Sequence, residues 1–547
     1  MTGRIEKTVF ISYRRINFPW AQSIYLDLIN HDYDVFLDYK SIPSGDFEQA
    51  IIENIKSRAH FIIVLTPSAV ERCNEPDDWL RREIEIAIDS KRNIIPLRLE
   101  SFDFGSPATI KALTGKLSTL KRYQAPTVSA EYFDEAMERL RSDKYLNRPL
   151  ESVLHPVSDT AKQVIEKQKV AASEVSSISK ERLVAQEWYE KGYVFQEDGN
   201  LDEAIRCYSQ ATEIRKDFAE AYNNRGVLYR AKGDLDKAII DFNLALQFKP
   251  NSAEIYSNRG ITYGDQKILD KAIADFDTAL VINPNFHVAY SNRGLARRIN
   301  GDFDGAIADL DKALLLKPDD ADSYYNRGNV FRYKGNREEA IKDFTRAIRF
   351  RRKFPDAYLN RGNLRSEKGD LKRAIADFDK AIILRPNNAG TYFNRASAHR
   401  AKKDFESAIS DYTRFIQLEL NDARGYHDRG ITFSMLGDIV SALFDFRKAV
   451  ELKPDSGSIR SSLIKVLKLL GHSAEAKQQE QITRKLIHNE NEYNQACFEA
   501  ICGNTDKALK LLKIGLEKRQ ATKEWAQQDP DLENIRNDPR FKRLVGE

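Results

Sequence analysis

A small residue recurs every 34 positions through the middle of this 547-residue chain: Gly192, Gly226, Gly260, Gly294, Gly328 and Gly362, then Ala396 and Gly430. Twelve positions beyond each stands an alanine: Ala204, Ala238, Ala272, Ala306, Ala340, Ala374, Ala408 and Ala442. Seven further on comes Ala211, Ala245, Ala279, Ala313, Ala347, Ala381 and Ala449, with Phe415 as the exception. Pro250, Pro284, Pro318, Pro386 and Pro454 close five of the eight units. Such a period points to stacked units, each too small to bury its apolar face alone. Each unit reads as two antiparallel helices. Glycine on the first and alanine on the second let the axes approach, while Tyr222, Leu228 and Phe242 fill the gaps. Gly233-Asp234, Gly301-Asp302, Gly335-Asn336 and Gly369-Asp370 supply a helix stop followed by an N-cap.

This pattern resembles the tetratricopeptide repeat (TPR), and it assigns eight repeats to residues 185–456. That resemblance implies an all-α superhelical solenoid. Beyond Pro454 the register weakens, and residues 457–547 read as degenerate TPR-like helices and a C-terminal cap. The tail around Trp525, with Asp529-Pro530-Asp531, is expected to fold back as short helices.

Lys plus Arg number 86 and Asp plus Glu 82, so the formal charge is +4 and gives no net drive toward nucleic acid or anionic lipid. The apolar run Phe61–Leu65 is strand-sized, well short of the roughly 20 residues that span a bilayer. The first residues carry no apolar signal segment. The four cysteines, Cys73, Cys207, Cys497 and Cys502, form no disulfide framework, and no Cys/His cluster has zinc spacing. A cytoplasmic protein without membrane association is expected.

Residues 1–147 follow another grammar. Val9–Tyr13, Asp34–Asp38, Phe61–Leu65 and Ile94–Leu97 are strand-length apolar runs, with helix-period segments at 21–29, 47–57, 78–90 and 131–141. Alternation of this kind predicts an α/β domain with a parallel sheet covered on both faces. Ligands bind such sheets beyond the carboxyl ends of the strands. Those ends lie at Ser12-Tyr13-Arg14-Arg15, Asp38-Tyr39-Lys40 and Thr66-Pro67-Ser68. On a helix through Glu83, Leu80, Ile84, Ala87 and Ile88 share one arc, and Trp79 and Glu83 sit together on its edge. Glu85 and Glu71 read as solvated.

Three segments together resemble a Toll/interleukin-1 receptor (TIR) domain of flavodoxin-like fold. Phe10-Ile11-Ser12-Tyr13-Arg14-Arg15 is similar to its first box, and the stretch from Phe36 to Phe47 to the second strand and its mobile loop. Asp78-Trp79-Leu80-Arg81-Arg82-Glu83-Ile84 is similar to the catalytic helix of TIR domains that cleave NAD+. The resemblance implies an NAD+ glycohydrolase in which NAD+ is substrate and no cofactor is needed. Its nicotinamide leaving group is already cationic, so one carboxylate that binds the ribose and stabilises oxocarbenium character suffices. Glu83 is assigned that role, and Trp79 would stack on a flat ring of the substrate. The resemblance also sets the substrate against Arg14 and Arg15, whose guanidinium groups suit a pyrophosphate, and against the loop holding Pro43. Animal members of the family carry a glutamate where this chain has Pro43, which leaves backbone groups to serve there. Against these roles stand plainer ones: a core-edge tryptophan, a surface glutamate and solvated loop arginines.

Asn-Arg recurs at Asn224-Arg225, Asn258-Arg259, Asn292-Arg293, Asn326-Arg327, Asn360-Arg361 and Asn394-Arg395, and Arg230, Arg298, Arg332 and Arg400 mark a second slot. A TPR groove lined by these groups would favour an acidic or extended partner. Alternatively the asparagines bond to neighbouring helices and the arginine stems cover apolar surface. Residues 148–184 read as a semi-rigid linker with a helix near 164–175, so relative domain motion is expected. Two functions are compatible with these features. In one, a hydrolase forms homo-oligomers, activated by self-assembly or by a protein partner in the groove, with linear or cyclised ADP-ribose as product. By family analogy it would act in bacterial immunity. In the other, the chain is a non-enzymatic interaction scaffold. Neutral charge and the lack of an ordered base-stacking row speak against RNA.

Overall fold

The computed structural model describes residues 6–37, 45–148, 154–159, 161–163, 166–167, 170 and 178–546. They form two compact units, Met1–Ala289 and Tyr290–Glu547.

The first unit opens with strands β1 (Thr8–Ser12), β2 (Asp34–Leu37), β3 (His60–Leu65), β4 (Asn93–Leu99) and β5 (Thr127–Val128). Between and after them run helices α1 (Phe18–Ile29), α2 (Gly45–Ser57), α3 (Trp79–Asp89), α4 (Pro107–Ala112) and α5 (Phe133–Leu140). The strands pair in the order β2-β1-β3-β4-β5, all parallel. Side chains alternate across a strand, so β1 sends Val9 and Ile11 to one face and Phe10 and Ser12 to the other. The first face packs Val9, Ile11, Ile62 and Val64 against Trp20, Ile24 and Leu28 of α1 and Met137 and Leu140 of α5. The second packs Phe10, Phe36, Phe61 and Ile63 against Ile51 and Ile55 of α2 and Leu80, Ile84 and Ala87 of α3. Phe10 stacks on Phe36 and Phe61, ring centroids 5.2 and 5.5 Å apart. The fifth strand and α4 carry too few apolar residues to announce themselves by period, and the sequence did not suggest them.

The helix expected at 164–175 lies mostly outside the described residues. Against the relative motion expected across this semi-rigid linker stands the packing of the first array helix. That helix, Lys180–Glu197, puts Leu183 into the α1-side core of the sheet, while Ile16 from the exit of β1 packs among Ala185, Tyr189 and Tyr208. Sheet domain and first repeat thus share apolar cores, and the unit is compact across the linker.

Helix pairs of the expected kind run through both units. In the first, Lys180–Glu197 pairs with Leu201–Ile214, Ala219–Ala231 with Leu235–Phe248, and Ala253–Asp265 with Leu269–Ile282. In the second, pairs such as Pro355–Glu367 with Leu371–Leu384 continue to Ala423–Leu436 with Ile439–Leu452. The close approach explains the glycine: a Cβ on Gly362 would lie 2.7 Å from Phe378 of the paired helix. The second alanine serves the next unit, Ala245 packing with Ile255. Asp234, Asp302 and Asp370 cap the second helices by accepting from Lys237, Gly305 and Arg373 amides.

Two further pairs, Gly457–Leu469 with Ser473–Leu486 and Glu492–Ile501 with Thr505–Glu517, precede three short terminal helical segments. No helix is long and apolar enough to cross a membrane among the described residues.

Candidate active site

Strand parity leaves Ser12 on the face covered by α3, at the carboxyl end of a central strand. There its hydroxyl donates to Oε2 of Glu83 at 2.5 Å. Glu83 is 5% exposed and shares the inner arc of α3 with Leu80, Ile84 and Ala87. A carboxylate held in so little water needs such a donor. Glu83 therefore stands inside the edge of the core, more deeply than the sequence suggested. Glu85 points outward and pairs with Arg81 at 2.9 Å.

The helix carrying Glu83 is anchored at its start. The side chain of Asp78 accepts from the Arg81 amide at 3.0 Å, a standard N-cap. Arg14, the second residue after β1, brings Nη2 to 2.5 Å from Asp78 and donates from Nε to the Ala69 carbonyl at 2.8 Å. In this arrangement Arg14 spends two nitrogens on holding α3 and the loop after β3. Arg14 thus braces the start of α3, a positioning role beside the substrate contact expected of it. Arg15 is exposed and begins a short 3-10 turn, Arg15–Asn17. Trp79 is the first residue of α3, partly buried against the α3-side core, with the Arg82 guanidinium 4.8 Å from its ring centroid. Arg82 also bonds Glu48 of α2. Pro43 and the expected loop contact lie outside the described residues.

Other reactive groups near the sheet are silent. Burial, and then the nearby Asp78 carboxylate, push the Cys73 thiol up to about 12, which leaves no thiolate at neutral pH. His60 opens β3, at the opposite end of the strands from Glu83, and burial pushes it down to about 4. The described residues contain no cluster of metal-ligating side chains.

Sequence reasoning named Ser12, Asp78 and Arg82 within the site segments but gave none of them a role. The first had a usable signal: a polar residue at a core-facing position of a central strand needs a buried partner.

In the array, four of the six asparagines bond to neighbouring helices, as the second reading has it, while the arginines take a role that neither reading named. Arg225, Arg259, Arg293, Arg327, Arg361, Arg395 and Arg429 turn inward and grip Asp241, Asp275, Asp309, Asp343, Asp377, Asp411 and Asp445 with two nitrogens each. Asn224 donates to Tyr189, Asn258 to Asn223, Asn360 to Tyr325 and Asn394 to Asn363, joining neighbouring first helices. These groups are struts between helices. Of the second slot, Arg400 pairs with Asp428 at 2.7 Å and Arg230 approaches Asp265 at 4.0 Å, while Arg298 and Arg332 lie 5.5 and 5.0 Å from the Tyr333 ring.

Residues 9–140 match the family model described as TIR domain. Residues 192–230, 294–332 and 328–369 match the model described as TPR repeat, and 219–252, 253–286, 355–388 and 389–422 match tetratricopeptide-repeat models. The chain is 30% identical over 148 residues to a Drosophila melanogaster protein named NAD(+) hydrolase sarm1, covering 26% of this chain and 11% of that one. It is also 30% identical over 136 residues to the Caenorhabditis elegans NAD(+) hydrolase tir-1, covering 24% and 14%. This chain thus spans about an eighth of the length of those relatives. Among solved structures, a tetratricopeptide repeat protein from Parabacteroides merdae aligns with a TM-score of 0.36 and 25% identity, covering 43% of this chain and 93% of that one. The described elements and the family models agree: the chain carries an N-terminal TIR domain followed by tetratricopeptide repeats.

Proposed function

We propose that the TIR domain cleaves the nicotinamide–ribose bond of NAD+. The observation that carries this reading is the carboxylate of Glu83, buried and bonded by Ser12 at the carboxyl end of β1. The names of the relatives support it. The bond from ribose C1′ to the nicotinamide nitrogen breaks heterolytically, and its electron pair leaves with nicotinamide, which becomes neutral. Glu83 faces the oxocarbenium character that develops at the ribose and holds its hydroxyls. Water adding at C1′ and losing a proton gives ADP-ribose; a nucleophile within the substrate gives a cyclised product. Trp79 stacks on a flat ring, Arg14 and Arg15 meet the pyrophosphate and the segment holding Pro43 contacts the substrate, while Arg14 also braces α3 through Asp78.

Our reading extends to control. Self-association, through TIR–TIR contacts and the array, or a protein partner on the array would bring TIR domains together and raise turnover. A cytoplasmic immune or signalling role follows by analogy with the family. The alternative, an interaction scaffold without turnover, draws support from the internal engagement of Arg14 and of the Trp79 ring by Arg82.

The test is nicotinamide release by the full chain over a range of protein concentrations, wild type against Glu83→Ala, with products resolved by mass spectrometry. A rate that rises more steeply than linearly and vanishes in the variant is expected. Equal activity in both would remove Glu83 from the chemistry, and no turnover in an assembled state would favour the scaffold.

A further inference from the structure

The first array helix, Lys180–Glu197, meets the TIR domain with more than apolar groups. Leu183, Gln186, Glu187 and Glu190 form one stripe at helical spacing. Glu190, fully buried, accepts from the Ser68 hydroxyl at 2.6 Å, the Ser68 amide at 3.0 Å and Gln186 at 3.3 Å. Gln186 in turn donates to Asn17 at 3.4 Å, and Asn17 to Thr66 at 2.7 Å. Glu187 accepts from the Ala130 amide at 2.7 Å.

These partners are the backbone on which the candidate site stands. Ser68 precedes Ala69, whose carbonyl receives Arg14, and Arg14 reaches Asp78, the cap of the helix bearing Glu83. Asn17 closes the turn that holds Arg15. Both the exit of β1 and the start of α3 are therefore tied to one helix of the array. A sealed carboxylate whose donors among the described residues are neutral is a costly adhesive, since well-packed apolar residues would join two surfaces as firmly. What it provides is one fixed geometry.

We propose that Glu190 is a positioning residue for the TIR site: by fixing the loop after β3 it holds Arg14 on Asp78, and so sets the start of α3. This makes the first repeat part of the site's support and gives the array a physical route to Glu83. The kinetic side rests on the proposed NAD+ cleavage; the structural side does not.

The test compares full-length wild type, Glu190→Ala and Glu190→Gln by amide hydrogen exchange and nicotinamide release. In Glu190→Ala, exchange at residues 68–70 and 81–83 should quicken at least tenfold relative to the sheet core. Its kcat should fall about tenfold with KM within twofold of wild type. Glu190→Gln, which keeps one carbonyl acceptor, should lie between. Unchanged exchange at those residues in Glu190→Ala, or acceleration spread evenly over the whole first unit, would overturn the proposal. So would faster local exchange with unchanged kcat in an active protein. Should the wild type release no nicotinamide, the exchange experiment still decides the proposal, and only the NAD+ reading falls.

Discussion

Ser12, the last residue of β1, donates its hydroxyl hydrogen to Oε2 of Glu83 across 2.5 Å, although the two lie 71 positions apart in the chain. The bond fixes one oxygen of a buried carboxylate and leaves its rotamer little freedom. On the proposed NAD+ cleavage, Glu83→Gln, which keeps the shape and removes the charge, should lower nicotinamide release about a hundredfold or more. Ser12→Ala keeps the charge but frees the carboxylate, and a loss of about tenfold, or ~1.4 kcal/mol of barrier, is expected. Steady-state kinetics on proteins with matched melting curves checks both. Wild-type turnover in Ser12→Ala would mean that the hydroxyl serves folding and not the reaction.

The inward arginines of the array allow a sharper stability test. Arg429 donates to both oxygens of Asp445 at 2.8 Å, and Asp445 is 1% exposed. Removing one partner of a buried pair strands the other charge, so Asp445→Ala should cost about 3–5 kcal/mol. Replacing both, Arg429→Met with Asp445→Leu, removes the stranded charge and should recover most of that loss. Urea unfolding followed by circular dichroism would measure the two variants. A double variant as unstable as the single one would show that the pair contributes net attraction beyond mutual neutralisation.

These two relationships differ in how far the chain alone could reveal them. The placement of Glu83 was legible in part: Leu80, Ile84 and Ala87 draw the buried arc of α3 and put Glu83 on its edge, short of the depth at which the fold buries it. Ser12 was hidden among strand residues, since a lone hydroxyl has no period. The destination of Arg14 depends on where the loop after β3 brings Ala69 and on the cap at Asp78, which no local pattern encodes. Docking of the first array helix rests on Ile16 and Leu183, two apolar residues in segments that read as a loop and a linker. The Arg–Asp struts were half visible. Both residue types recur at the repeat period, but an arginine stripe taken without its aspartates reads as groove lining, and only the fold brings the two together.

His60 carries a pH dependence for the first unit. Its ring nitrogens meet the Glu6 carbonyl at 2.9 Å and the Asn93 side chain at 2.8 Å, and burial pushes its pKa from 6.5 down to about 4. The folded state therefore holds the neutral ring while the unfolded chain takes up a proton below pH 6.5. Stability contributed by the neutral ring is intact above about 6.5 and drains away as pH falls toward about 4, reaching about 3 kcal/mol in all. Thermal melts between pH 7.5 and 4.5 should show the sheet domain weakening, with a flatter profile for His60→Gln. Identical slopes in the two proteins would assign the acid sensitivity to other groups.

The tail of the second unit should respond to pH in the opposite sense. Asp531 accepts from Ser462 at 3.1 Å, while Asp529 accepts from the Tyr493 hydroxyl at 2.8 Å. Trp525 lies 5.2 Å from the Arg400 guanidinium, and Lys465 bonds the Pro530 carbonyl and pairs with Glu533 at 3.4 Å. His427 reaches the same Ser462 at 3.2 Å, beside Asp428, and Cys497 lies 3.8 Å from Asp529. Burial and then the Asp529 carboxylate push Asp531 up to about 7. An acid whose pKa is raised on docking binds a proton when docked, so the contribution is whole below its ordinary value near 3.8 and is lost as pH rises through about 7. Limited proteolysis of the last 25 or so residues should therefore quicken as pH rises from about 4 to about 7 and level off above that. Asp531→Asn, neutral at every pH, should hold the tail docked and remove that acceleration. Equal acceleration in the variant would trace it to Asp529, His427 or the protease, and not to the titration of Asp531.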